Sequence, residues 1–171
     1  TSPLVPAQPT ALLPVAGYPT GFLPALWSYR ERHFAESLIG DLRKVGIRAR
    51  LHFLQYPALR NEVRAGRAPL SFQAWGSFSV NDASAFVGNF FKGGPDDTAK
   101  DPTTIALVQT ADATVEAKPR QEKYAQALQR ISEKAMWAPL FAYSTNYAFS
   151  SDLKFEAQPD ELPRFFMASW K

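Results

Sequence analysis

Between residues 22 and 75 of this 171-residue chain, short apolar runs alternate with amphipathic helical patterns in the order strand, helix, strand, helix, strand. No other feature restricts the fold as much. Parallel strands need a long crossover between them, usually a helix, and such crossovers are right-handed. The alternation therefore predicts an α/β class fold: a mixed, mostly parallel sheet flanked by helices. Residues 22–29, FLPALWSY, give the first strand. RERHFAESLIGDLRKVG then places Phe34, Leu38, Leu42 and Val45 at helical spacing, with Gly46 as its stop. IRARLHFLQ alternates, with Ile47, Ala49, Leu51 and Phe53 facing one way and Arg48, Arg50 and His52 the other. PALRNEVRAG predicts a short helix from Pro57 to Gly66, with Leu59 and Val63 inward, and PLSFQAW predicts a third strand.

The later chain is less regular. Residues 83–91 have a helical pattern, and residues 92–102, KGGPDDTAKDP, form a turn-rich loop. Two helices are expected over about 103–116 and 119–136, the second with Tyr124, Leu128, Ile131 and Ala135 on one face. APLFAYSTNYAFS, residues 138–150, predicts a long returning strand or a bent pair. The first 21 residues hold Pro3, Pro6, Pro9, Pro14 and Pro19, which predicts an extended connector. The expected division is a proline-rich connector over 1–21, an α/β lobe over 22–149 and a tail over 150–171.

Composition excludes several classes. The net charge of +3 is spread among acids rather than gathered on one face, which argues against a nucleic-acid module. With no cysteine there is neither a disulfide framework nor a thiolate metal site. No apolar run approaches the length of a membrane span. The opening residues lack the positive region of a signal peptide and begin without Met, as expected of a processed chain or a cut-out domain.

Catalytic signatures are weak. WGSFS lacks the final glycine of a nucleophile elbow around Ser77. His33 and His52 share no zinc spacing. KGGPDD is not a phosphate loop, and Asp96, Asp97 and Asp101 do not follow the order of a calcium loop, so a solvated acidic turn is expected. No cofactor is expected.

A binding surface fits better. In open α/β sheets, ligands sit beyond the carboxyl ends of the strands. Tyr29 and Arg30 follow the first strand, Tyr56 the second, and Trp75, Ser77 and Phe78 the third. Aromatics there would cover a ligand and exclude water while loop amides bond it. Trp75 is expected to be partly exposed at that edge.

Five stretches, in order, resemble one family. They are ALLPVAGYPTGF, LWSYRERHFAESLIGDLRKVGIRARL, APLSFQAWG, RQEKYAQALQRISEKAMWAPLFAY and YAFSSDLKF. Together they are similar to the C-terminal lobe of the extracytoplasmic solute-binding proteins of ABC importers, in the dipeptide, oligopeptide and nickel group (family 5). The resemblance implies a periplasmic-binding-protein-like lobe that closes with an N-terminal lobe of the same protein around a small-molecule or peptide solute. It implies a periplasmic or other extracytoplasmic location and delivery to ABC permease subunits, without catalysis. The alternatives are a small α/β hydrolase-like enzyme and a basic nucleic-acid-binding module.

The resemblance also carries residues. Trp75 matches an aromatic that lines the pocket, Gly76 and Ser77 the loop after it, Tyr56 an aromatic before the short helix, and Arg64 a pocket arginine of some members. Peptide-binding members read W-x-x-D, with the aspartate capturing a peptide's α-amino group. This chain reads WGSFSVND, with Phe78 in the aspartate's place and Asp82 four residues later. A ligand held by backbone amides, Ser77, Asn81 and stacking on Trp75 is therefore expected, with Asp82 as a substitute anchor and Arg30 or Arg64 meeting a ligand carboxylate.

Overall fold

The computed structural model describes residues 7–76, 80, 82–158 and 162–171, with residues 7–10 as backbone alone. The chain divides into two compact units, Thr1–Ala74 and Trp75–Lys171.

In the first unit, β1 (Ala25–Ser28), β2 (Arg50–Phe53) and β3 (Ser71–Phe72) form a parallel sheet in the order β2-β1-β3. Ala25 pairs with Arg50 through to Ser28 with Phe53, and Trp27 pairs with Ser71. Helix α2 (Arg32–Lys44) connects β1 to β2, and α3 (Tyr56–Arg64) connects β2 to β3. Successive strand residues face opposite ways, so β1 is buried on both sides. Leu26 packs with Ala35, Ala49 and Phe72, joined by Leu38, Ile39 and Leu42 of α2. Trp27 packs with Leu59, Val63 and Ala68 around α3.

Both helices stop as their glycines require. At the end of α2, Ile47 N–H donates to the Leu42 carbonyl (2.9 Å) and Gly46 N–H to that of Arg43 (3.1 Å), with Gly46 at φ 92°. At the end of α3, Arg67 N–H donates to the Glu62 carbonyl and Gly66 N–H to that of Val63, with Gly66 at φ 70°. These are left-handed caps that satisfy the last helical carbonyls.

Three expectations for this unit are corrected. Residues Ala7–Val15 form a helix, α1, not an extended connector. Pro9 falls in its first turn, where amide hydrogens have no helical partner anyway, so only Pro14 costs a bond. Of the expected α2 stripe, Leu38, Leu42 and Val45 turn inward, but Ala35 and Ile39 complete the face in place of Phe34. Phe34 is exposed and lies against His33, with ring centroids 4.3 Å apart. β2 is an edge strand, so Phe53 at its end stays exposed.

The second unit is helical: α4 (Ser84–Phe90), α5 (Pro102–Ala113) and α6 (Ala117–Glu133). Val87, Phe90, Phe91, Val108, Ala111, Tyr124, Ala127 and Ile131 form its core, with Trp75, Phe86 and Trp137 packed against it. On α6 the small Ala127 completes the inward face, so Leu128 is exposed, and Ala135 lies beyond the helix end at φ 48°.

The turn at 92–102 is not simply solvated. Asp97 is fully buried and accepts hydrogen bonds from the backbone N–H of Gly93 and of Lys100, both 2.8 Å. Asp101 caps α5 through the Thr104 N–H and hydroxyl (2.8 Å each) and accepts a forked pair from Arg130 (2.7 and 2.8 Å). Residues 137–150 form neither helix nor strand. The expected strand has apolar, β-prone residues, but Leu140, Phe141, Tyr143 and Phe149 remain exposed, and no ladder partner is present among the described residues. Instead, β4 (Leu153–Lys154) pairs antiparallel with β5 (Ser169–Trp170).

Candidate functional site

Because β1, β2 and β3 are parallel, their carboxyl ends share one edge of the sheet. Ser28 closes β1, is fully buried, and its hydroxyl donates to the Arg30 carbonyl at 3.2 Å. That bond turns the chain sharply toward α2. The turn carries Glu31, the N-cap of α2, at φ 31°, a left-handed conformation that a residue with a Cβ seldom adopts. Strain of this kind gathers at functional sites.

Two aromatics converge at the edge. Tyr29, just past β1, and Tyr56, at the start of α3, have ring centroids 4.9 Å apart at 51°. The Tyr29 hydroxyl donates to the Ala74 carbonyl at 3.1 Å, which ties the end of β1 to the segment after β3. Tyr29 also packs on the Leu59, Val63 and Ala68 cluster, so its position is set from beneath. Both rings are half-buried, so part of each remains accessible.

The structure separates the two expected arginines. Arg30 stands at the edge, exposed and paired with Glu31 at 3.0 Å. Arg64 is in the last turn of α3, eight residues from Tyr56. At 1.5 Å per residue that is about 12 Å along the axis. There its charge suits the negative end of the helix dipole.

In the second unit, Trp75 is half-buried and meets Phe90 edge to face, with centroids 4.8 Å apart and planes at 85°. One side of the indole thus belongs to the core, and partial exposure leaves room for contact. Gly76 is exposed, and a Cβ added there would meet nothing within 4 Å, so packing does not demand glycine. Ser77, Phe78 and Asn81 lie outside the described residues.

Asp82 is already occupied. Its two oxygens accept a forked pair from Arg120, both bonds 2.7 Å, and one of them also accepts the Ser84 N–H at 2.8 Å, at the start of α4. These donors, Arg120 first, hold its carboxyl well below the usual carboxylate range. Sequence reasoning did not single out Arg120. Its guanidinium also lies 4.8 Å from the Tyr124 ring centroid, one helical turn further along α6. The Tyr124 hydroxyl donates to Asp112, which pairs with Lys92. Burial, then the bond to Asp112, pushes Tyr124 up to about 12. Burial alone would raise the Asp112 carboxyl, but its bonds with Lys92 and Tyr124 leave it lowered. A polar chain therefore runs from Asp82 through Arg120 and Tyr124 to Lys92. The i, i+4 spacing of Arg120 and Tyr124 was its only signal in the sequence.

No protein-family model and no curated protein sequence matches the chain. Solved structures do. The Escherichia coli murein tripeptide binding protein MppA superposes with a TM-score of 0.76 at 20% identity, over 96% of this chain and 34% of that one. A dipeptide binding protein from Pseudoalteromonas sp. SM9913, in complex with Met-Leu, superposes with a TM-score of 0.68 at 22% identity, over 76% and 28%. NikA from Brucella suis, in complex with Fe(III)-EDTA, gives 0.59 at 24% identity, over 77% and 30%. The chain thus spans about a third or less of the proteins it matches. At these identities the likeness shows the fold: an α/β lobe of the periplasmic-binding-protein type, with a parallel sheet flanked by helices.

Proposed function

We propose that the chain is one lobe of the solute-binding receptor of an ABC import system. It acts outside the cytoplasmic membrane, closes with an N-terminal lobe of the same protein, and delivers a small polar or peptide-like solute to permease subunits. The observation that carries this reading is the Tyr29–Tyr56 pair at the carboxyl edge of a parallel sheet, where open α/β folds take their ligands. Half-exposed rings in tilted contact cover apolar ligand surface, and Tyr29 is fixed by packing rather than by the ligand. In this reading residues 22–149 are the lobe proper, and residues 1–21 and 150–171 are the segments that join it to the other lobe. The role is binding, not catalysis.

The ligand reading follows from charge. Between Trp75 and Asp82 the sequence has one carboxylate, that of Asp82, and Arg120 and the Ser84 amide hold it. Moving it to an incoming ammonium would leave a half-buried guanidinium without its partner, and a desolvated ammonium with no partner is costly. The segment therefore does not anchor a free α-amino group. The solute is a blocked or modified peptide, a sugar-like or opine-like molecule, or a metal chelate. On the first unit Tyr56 covers it, with Arg30 as the first candidate for a ligand carboxylate. Arg64 is the weaker one.

Solutes released from the protein expressed from its complete reading frame are identified by mass spectrometry. Each is then tested for thermal stabilisation beside Ala-Ala and N-acetyl-Ala-Ala. A stoichiometric non-amine solute, with no preference for free over acetylated dipeptide, is expected. Stabilisation by Ala-Ala alone, lost in Asp82→Ala, refutes the ligand reading. No bound or stabilising small molecule at all refutes the receptor reading.

A further inference from the structure

We propose that the C-terminal part of the second unit holds a small apolar pocket that takes an uncharged molecule with one aromatic ring and a carbonyl oxygen, to which the Tyr147 hydroxyl donates. The pocket uses none of the residues at the sheet edge, and it does not depend on the receptor reading above.

The pocket has a volume of about 170 Å³, and its walls include Tyr147, Phe149, Leu153, Phe155, Pro163 and Phe165. The chain around it is tied locally. The β4–β5 pair sets Leu153 opposite Trp170, and the Lys171 N–H continues the pairing by donating to the Asp152 carbonyl at 2.9 Å. Phe155 lies two residues past Leu153, the spacing that puts extended side chains on one side. Its ring meets those of Phe149, Tyr147 and Phe165, with centroids 5.1, 5.8 and 6.2 Å apart. Phe165 opens a single 3₁₀ turn, Phe165–Met167, which the Ala168 N–H closes by donating to the Phe165 carbonyl at 3.0 Å. Phe149 and Phe165 are exposed, so the pocket can be reached from solvent.

The ligand chemistry follows from one unpaired atom. The Tyr147 hydroxyl is buried and has no hydrogen-bond partner among the described residues. Buried tyrosine hydroxyls usually find one, and a buried donor left unmade costs more than a typical bond returns. The other described side chains of the lining are all apolar, whereas a buried water needs two to four polar partners. An apolar cavity of roughly 150 Å³ stays dry and takes benzene, so one aromatic ring fills this pocket. A carbonyl on that ring gives the Tyr147 hydroxyl its acceptor. A charged group is excluded, because the walls offer it no opposite charge.

The probes are 4-fluoroacetophenone and 4-fluoroethylbenzene, which share a ring and a two-carbon arm and differ in the carbonyl. Each is titrated against the complete protein by 19F relaxation, in the wild type and in Tyr147→Phe, Ala148→Leu and Tyr56→Ala. Saturable binding of both to the wild type is expected. In Tyr147→Phe the affinity of the ketone relative to the hydrocarbon falls about tenfold, the factor that one such bond is worth. The ratio cancels the different solubility of the two probes. Ala148→Leu, at an exposed position of the lining, narrows the pocket and weakens both, while Tyr56→Ala changes neither. No saturable binding of either probe overturns the proposal, and it is the result if another part of the polypeptide fills the pocket. An unchanged ratio in Tyr147→Phe, or unchanged binding in Ala148→Leu, overturns it too. Loss of both probes in Tyr56→Ala would put them at the sheet edge and overturn it as well. None of these results bears on whether a co-purified solute stabilises the protein, so this proposal and the receptor reading fail separately.

Discussion

Tyr29 and Tyr56 lie 4.9 Å apart, ring to ring, at the carboxyl ends of neighbouring parallel strands, and the Tyr29 hydroxyl reaches the Ala74 carbonyl 45 residues away. One side chain thus joins a tilted aromatic pair to the segment that follows β3. Tyr29→Phe keeps the ring contact and removes the bond. It is expected to lower stability by about 1 kcal/mol, the usual net value of such a bond. Urea unfolding measures it. No change in the midpoint would mean that the hydroxyl is satisfied by water instead.

Gly21 and Gly46 show where backbone, not side chain, sets the fold. Both have positive φ, and a Cβ on Gly21 would lie 1.8 Å from the Gly46 carbonyl oxygen. Beside them Phe22 bridges Ile47 in parallel, extending the β1–β2 pairing. Gly21→Ala is expected to cost roughly 1–3 kcal/mol. Gly40→Ala, in the interior of α2 with open space around it, is expected to stabilise by roughly 0.5–1 kcal/mol. Opposite signs for the two in thermal or urea unfolding are the check. Equal effects would contradict the close approach.

The legibility of the chain divides along these lines. The β-α-β-α-β order was readable because alternation and capping glycines are local signals: Gly46 and Gly66 stop their helices where expected. The helical faces were read correctly at Leu38, Leu42, Val45, Tyr124 and Ile131, but one large residue on each was misplaced because small residues were not counted. Ala35 and Ala127 are fully buried while Phe34 and Leu128 are exposed. The run 138–150 has strand-like residues, but a strand also needs a neighbour, and propensity cannot supply one. The places of Tyr29, Tyr56 and Trp75 just after their strands were legible, because the strands themselves were. The pairing of Asp82 with Arg120, 38 residues apart, was not, because nothing local marks two charges as partners.

Tyr124 predicts a signature in base. Its folded value is raised to about 12, by burial first, against about 10 in an unfolded chain. A raised value means that the fold favours the protonated form. That contribution is complete below about pH 10 and is lost as the pH climbs toward 12. Absorbance titration of the six tyrosines is expected to show a late step that Tyr124→Phe removes. A complete titration near pH 10 would contradict the buried bond to Asp112.

Asp101 predicts the acid side. The forked bond from Arg130, first, and then the Thr104 amide hold its carboxyl well below the usual carboxylate range. A lowered value means that the fold favours the ionised form. The contribution is present above the unfolded value near 3.9 and is lost as the pH falls below it. Asp101→Asn keeps the size and removes the charge. It is expected to lower stability at pH 7 and to flatten the loss below pH 4. Unchanged acid sensitivity in urea unfolding would show that other carboxylates carry it.

The most direct test of the receptor reading is thermal stabilisation of the complete protein by the solute it co-purifies with, in the wild type and in Tyr56→Ala. Tyr56 opens α3 at the sheet edge, and the buried residues of that helix are Leu59 and Val63, so truncating its ring leaves the core in place. The expected result is a saturable rise in Tm for the wild type and a shift of the dissociation constant by tenfold or more in Tyr56→Ala. Equal binding by both would place the solute elsewhere and contradict the account.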